Sequence, residues 1–312
     1  MKAETHFTNL YNLREYFSNE TVCREYLEKF RWNGNPVCPF CSFSQKPYKL
    51  GDGKTYKCSN KDCGKKFTVT VGTIFENTKI PLSKWFVAMY LITSHKKGIS
   101  SLQLHRDLGV TQKTAWFINH RIREMLKDKA PELLKGMVEV DEVYLGGKEI
   151  NKHKNKRLGN LEASRQKTMV VGLLERGNRI ITKKVNTTHS WVLQPLVREH
   201  VLNNSTVITD SHFGYRGLDL QYTHETVKHL AGEYARGPIH TNTIEGFWSL
   251  LRRGIYGIYH SVSSKHIERY LDEFAQRYTT RNDTEVDRFN FFLSQCNGRL
   301  KYKDLISKEG KV

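Results

Sequence analysis

The chain of 312 residues has no apolar run of the roughly 18 residues needed to cross a bilayer. Its polar start, Met1 to Asn19, also lacks the apolar core of a secretion signal. An intracellular protein with no membrane-spanning segment is therefore expected. Apolar residues are scarce at 38%, low for a globular chain but too many for a disordered one. Acidic residues are the clearest deficit: 32 Asp and Glu stand against 50 Lys and Arg, a net charge of +18. A chain this basic is expected to meet a polyanion, whether DNA, RNA or an anionic surface. Solenoid repeats and long low-complexity tracts are absent too. Length alone then suggests two or three domains.

Cysteine is sparse, with six residues in the chain, but four of them fall in two close pairs. Cys38-Pro-Phe-Cys41 precedes Cys58-Ser-Asn-Lys-Asp-Cys63, and the stretch from Tyr48 to Lys57 has the length of a hairpin. In a reducing compartment such pairs favour metal over disulfides. Two knuckles with inward thiolates make a closed tetrahedral S4 site, the donor set of structural zinc. Cys23 and Cys296 stand alone and read as small buried apolar residues. Lys46, Lys49, Lys54, Lys57, Lys61, Lys65 and Lys66 surround the cysteines and favour phosphate contact.

Ahead of the cysteines, residues 19–32 read as an amphipathic helix capped by Asn19 or Ser18, with Cys23, Tyr26, Leu27 and Phe30 on one face. After them, Pro81–His95 supplies a packing helix. Two further helices follow, joined at Gly109, which accepts the left-handed conformation of a helix end. Leu102, Leu104 and Leu108 form the apolar face of the first, and Thr111 caps the second. Ala115, Ile118 and Ile122 point inward in that second helix. Gln112, Lys113, Asn119 and Arg123 are expected outward, as in the recognition helix of a helix-turn-helix reading a major groove. Lys148–Lys167 holds seven Lys or Arg and reads as a mobile basic loop between two strands, able to lie against DNA. The stretch after Asn297 reads as a frayed charged tail.

Three acids stand in suggestive contexts. Asp141 follows the strand-like alternation of Met137-Val-Glu-Val. Asp210 ends the short apolar strand Ser205-Thr-Val-Ile-Thr. Glu245 lies on a helix whose inward stripe is Ile244, Phe247, Trp248 and Leu251, with Asn242, Glu245, Ser249 and Arg252 on another line. A carboxylate at the end of a buried strand is costly unless paired or bound to metal. Three of them can hold two hard cations such as Mg²⁺ or Mn²⁺ through oxygen. Taken residue by residue, Glu139 or Glu142 is an alternative to Asp141, Asp210 can open a turn, and Glu245 can serve a cap at Asn242.

These stretches resemble bacterial insertion-sequence transposases of the ISXO2-like group. The residues that carry the resemblance are the Cys38/Cys41/Cys58/Cys63 ribbon, Val138-Glu-Val-Asp-Glu-Val-Tyr-Leu-Gly-Gly147, Thr209-Asp-Ser-His-Phe-Gly-Tyr215 and His240-Thr-Asn-Thr-Ile-Glu-Gly-Phe-Trp-Ser-Leu-Leu-Arg-Arg-Gly254. The resemblance implies an α/β fold: a ribonuclease H-like mixed sheet of about five strands, preceded by a zinc ribbon and a helix-turn-helix domain. It implies boundaries at 1–32, 33–76 (zinc ribbon), 77–130 (helix-turn-helix), 135–285 (catalytic domain) and 286–312 (tail). It implies Asp141, Asp210 and Glu245 as metal ligands, with Asn242 a second candidate for the third place and Arg252 a phosphate clamp. The implied partners are double-stranded DNA, as element ends and target, and further copies of the chain, in a bacterial cytoplasm beside the nucleoid. The implied activity is metal-dependent strand cleavage and transfer. The alternative is a DNA-binding regulator derived from an inactive transposase.

Overall fold

The computed structural model describes residues 7–43, 46–127, 132–147, 153–157, 167–228 and 232–307. Most of the basic stretch 148–167 lies outside them. The chain divides into two compact units, Met1–Leu126 with Asn282–Val312, and Lys127–Arg281. No helix among the described residues is long and apolar enough to cross a membrane.

The first unit opens with α1 (Leu10–Tyr16) and α2 (Glu20–Trp32), started by Asn9 and Asn19, whose side chains accept first-turn amides. A small antiparallel sheet follows, of β1 (Tyr48–Lys49), β2 (Thr55–Lys57) and β3 (Lys66–Thr68). Then come α3 (Leu82–Ser94), α4 (Ser101–Leu108) and α5 (Gln112–Met125). Gly109 at φ 60° ends α4, and Thr111 Oγ1 accepts the Thr114 amide to start α5. The two helices therefore meet at the turn that the sequence indicates.

The second unit is a five-stranded sheet with helices on both faces. Its elements are β4 (Met137–Leu145), β5 (Thr168–Glu175), β6 (Ile180–Val185), α6 (Ser190–His200), β7 (Thr206–Asp210), β8 (Thr223–Val227), α7 (Asn242–Gly254) and α8 (Ile267–Thr279). Spatial order is β6-β5-β4-β7-β8. The first three strands run antiparallel, and β7 and β8 lie parallel to β4. This is a mixed sheet of five strands, as the resemblance implies. Alternation along β4 sends Val138 and Val140 to the face covered by Leu193 and Val197 of α6. Val143 and Leu145 go to the opposite face, under Ile244, Phe247, Trp248 and Leu251 of α7 and Phe274 of α8.

The chain then returns to the first unit with α9 (Glu285–Ser294) and the short α10 (Tyr302–Ile306). These residues follow the point where the sequence suggests a tail, yet Val286, Phe289, Phe292 and Leu293 are buried in the first unit's core. Phe289 meets Phe7, Phe17 and Phe86 at ring separations of 5.3–6.0 Å. Residues past Asn297 are held as well: Arg299 pairs with Glu76 at 2.8 Å.

That return corrects the reading of α5. Asn119 and Arg123, expected outward, are each only 2% exposed. Asn119 Nδ2 donates to Ile99 O at 3.5 Å. The helix is hemmed in on several sides rather than one: α3 and α4 pack on it, Arg121 lies over Trp85, and Tyr302 of α10 sits against Trp116 and Phe117. Only its start is open, where Gln112 and Lys113 are exposed. Leu102 differs too: it is 49% exposed, while Leu104 and Leu108 are buried.

Truncating a fully buried phenylalanine costs about 3–5 kcal/mol. Phe289→Ala is thus expected to lower the stability of the first unit by about that amount, read as a loss of denaturation midpoint in the full chain. A change below about 1 kcal/mol would show that the C-terminal return is not part of that core.

Candidate active site and metal centres

Cys38, Cys41, Cys58 and Cys63 bring their four Sγ atoms within 4.8 Å of one another. Two of the separations are 3.8 Å (Cys38 to Cys63) and 3.6 Å (Cys41 to Cys58). A tetrahedron with Zn–S near 2.3 Å has edges of about 3.8 Å. The cluster therefore fits structural zinc with all four positions filled by protein. All seven lysines around it are exposed.

Asp141 and Asp210 converge on the α7 side of the second sheet. The parallel register of β4 and β7 pairs Val138 with Val207 and Glu139 with Ile208. Carried two residues on, it sets Asp141 beside Asp210. Both side chains share the face of Glu139, opposite to that of Val138 and Val140. Burial, then the neighbouring Glu142 and Asp210 charges, push the Asp141 carboxyl up to about 7. Among the described residues neither Asp141 nor Asp210 has an ion-pair partner. Two adjoining carboxylates in that setting could hold a hard cation through oxygen.

Glu142 lies on the opposite face of β4 and approaches the pair from its side. Tyr215 Oη donates to Glu142 Oε2 at 2.7 Å. Burial and the surrounding carboxylates hold that phenol well above its usual range, so it stays a donor. Burial and Asp210 raise the Glu142 carboxyl. Asp210 Oδ1 accepts from the His212 amide at 3.0 Å. His212 Nδ1 accepts from Gly214 N at 3.1 Å and stands 3.8 Å from Glu142 Oε1.

Glu139 and Asp141 have different tasks, which the sequence could not tell apart. Glu139 has no solvent exposure. Its Oε1 accepts from Arg176 Nε at 2.6 Å and Thr243 Oγ1 at 2.8 Å, and its Oε2 from the Ile244 amide at 2.9 Å. Arg176 also donates to the carbonyls of Pro238 and His240, at 2.6 and 2.8 Å. Thr241, the residue before α7, makes no side-chain cap. Glu139 supplies the cap from another strand, and its charge suits the positive end of the helix dipole. Asp141 meets the same helix one turn on, accepting from Trp248 Nε1 at 3.0 Å. Gly172, opposite Asp141 on β5, makes room for that indole: a Cβ there would lie 2.6 Å from Trp248 Cζ2. Trp248 had read as core alone.

Glu245 and Arg252 lie on the exposed side of α7. Glu245 Oε1 accepts from Thr241 Oγ1 at 2.9 Å. Its oxygens do not cluster with those of Asp141 and Asp210: among the described residues the four cysteines are the one group of three or more such ligands. Asn242 is exposed at the first position of the helix. Arg252, two turns beyond Glu245, lines a cavity of about 960 Å³ with Tyr144, Lys167, Tyr256 and His260.

Two variants probe this arrangement. Glu139→Gln removes one partner of a buried pair, which costs about 3–5 kcal/mol, and should lower the melting midpoint of the second unit. An unchanged midpoint would dismiss the anchor. For Asp141 the folded pKa lies above the unfolded value of about 4. Ionisation therefore opposes folding, with a cost that grows as pH rises past 4 and is complete above about 7. Without divalent cations, Asp141→Asn should raise the melting midpoint, by more at pH 8 than at pH 5. A gain equal at both pH values, or a loss, contradicts this account of the acid pair.

Comparison with known proteins adds the following. The profile of the ISXO2-like transposase domain matches residues 133–279, and that of the transposase zinc-ribbon domain matches 18–66. An uncharacterized protein in transposable element ISH50 of Halobacterium salinarum is 31% identical over 277 residues, 84% of this chain and 91% of that one. An uncharacterized transposase-like protein of Haemophilus influenzae is 28% identical over 109 residues, 35% of this chain and 85% of its own. Among solved structures, a pre-cleavage Mos1 transpososome matches at 13% identity and a TM-score of 0.29, over 65% of this chain and 75% of that one.

Proposed function

This chain belongs to the ISXO2-like transposase family, and on that premise we propose that it cuts and joins DNA strands at the ends of an insertion sequence. The observation that carries the proposal is the adjoining Asp141 and Asp210 on one face of the sheet, with no cationic partner among the described residues. In this reading Asp141 and Asp210 hold divalent cations, Mg²⁺ or Mn²⁺, and Glu245 completes the set from α7 once metal and DNA are bound. Such cations, when bound, supply the positive charge that favours an attacking oxygen and a leaving oxygen at phosphorus. Arg252 grips a phosphate further along the strand through its planar guanidinium. Glu139 and Arg176 keep the helix that bears both residues in register with Asp141.

The ribbon lysines neutralise backbone phosphates, and Gln112 and Lys113 at the open start of α5 are the groups offered to a groove. With Asn119 and Arg123 buried, base reading by α5 is limited to its first turn. Two element ends have to meet for joining, which calls for a homodimer or a higher assembly.

The test is strand cleavage and joining by the full chain with Mg²⁺ on duplexes carrying the element's own ends. Wild type is expected to cleave and join. Asp210→Ala and Glu245→Ala should each lose about a hundredfold or more while still binding the ends. Specific binding without cleavage under any divalent metal would replace the enzyme reading with that of a regulator. Activity that survives Glu245→Ala would move the third role to Asn242.

A further inference from the structure

Where the turn that follows Asp210 meets the start of α6 lies a group of aromatic rings that no role above uses. Trp191, in the first turn of α6, is 69% exposed, and Phe213, three residues past Asp210, is 54% exposed. His189 stacks on Trp191 with centroids 4.3 Å apart and an interplanar angle of 23°. It stands 6.4 Å from Phe213, and His212 lies 4.6 Å from Phe213 at 30°.

The group is built rigidly. A Cβ at Gly214 would come within 2.7 Å of Thr188 O and 2.8 Å of Leu193 Cδ1. The turn after β7 is therefore pressed against the start of α6, which fixes Phe213 relative to His189 and Trp191. Leu193 and Tyr215 beneath it are fully buried. The turn is also tied to the acids, since Asp210 accepts the His212 amide.

Large exposed aromatic faces are unfavourable in water and mark contact surfaces. DNA presents a charged backbone and hydrophilic groove edges, and its broad apolar surfaces are the faces of its bases. Those faces are free only where a base has left the stack. We propose that Trp191, His189 and Phe213 form a platform on which one unstacked nucleobase rests, beside the phosphodiester held at Asp141 and Asp210. The proposal rests on the strand-transfer reading for the identity of the DNA. Base–aromatic stacking tolerates any base, so the platform would hold a nucleotide without reading its sequence. Drawing one base out uncovers the adjoining phosphate and bends the strand toward the acids.

The experiment uses the full chain, Mg²⁺ and duplexes carrying the element's own ends. 2-Aminopurine is placed in turn at each nucleotide flanking the cleaved bond. Wild type should change its fluorescence at one position next to that bond. Trp191→Ala should remove the change and slow joining about tenfold, the lower part of the range for one lost stack, and Trp191→Phe should restore both. Deleting that base, as an abasic nucleotide, should slow wild type by a similar factor but add little to Trp191→Ala, because both changes remove one contact. Two penalties that multiply independently would overturn the platform. So would a fluorescence change that survives Trp191→Ala, no change at any position, or a Trp191→Ala chain that loses its assembly in light scattering, which would give this face to a second copy. If wild type joins no strands under any divalent cation but its fluorescence change still requires Trp191, the strand-transfer reading fails and the platform stands.

Discussion

Burial of the Glu139 carboxylate is the constraint on which the second unit turns. With no water in reach, its oxygens have to be satisfied by protein, and they take a guanidinium, a hydroxyl and the amide that opens α7. Two residues along β4, Asp141 takes the Trp248 indole, four residues along α7 from Ile244. Two strand residues advance about 6.6 Å, and four helical residues advance about 6 Å. Helix and strand therefore run side by side in step, joined at two points. Any residue on α7 has its height along β4 fixed by that match. Glu245 falls between the levels of Glu139 and Asp141, and Arg252 falls beyond them, where β4 ends at Leu145 and the cavity begins.

Polar satisfaction is thus divided unequally between neighbours of one strand. Glu139 is saturated by protein donors and does structural work. Asp141 has the Trp248 indole and the Glu142 amide as donors, neighbouring carboxylates and a raised pKa, and no cationic partner among the described residues. Both acids point the same way, and both follow a valine in the same alternation. What separates them lies on other segments: Arg176, after β5, and Thr243, on α7.

That division explains what could be read early and what could not. Local chemistry was legible. The cysteine spacing announced the sulfur cluster, Asn19 and Thr111 their helix starts, Gly109 the turn, and the stripe from Ile244 to Leu251 the buried side of α7. Strand β8 was not singled out, because this edge strand, Thr-His-Glu-Thr-Val, is mostly half-exposed and has little apolar alternation. The burial of Asn119 and Arg123 was hidden for another reason. It depends on how many elements surround α5, including a segment almost two hundred residues away whose charged composition suggested a tail. Pairing of Asp141 with Asp210 depended on strand register, which neither segment contains alone.

The first unit takes its core from segments on both sides of the sheet unit, and this sets an order of assembly during synthesis. The ribosome delivers α1 to α5 first, but Phe7, Phe17 and Phe86 wait for Phe289. By then every residue of the sheet unit has been made, and domains generally close as units when their residues become available. The sheet unit is therefore ready to fold before the first unit has its last core residue. A nascent or prematurely terminated chain can own a closed sheet while lacking a finished first unit. Completion of that unit thus waits on residues made after the whole of the sheet unit.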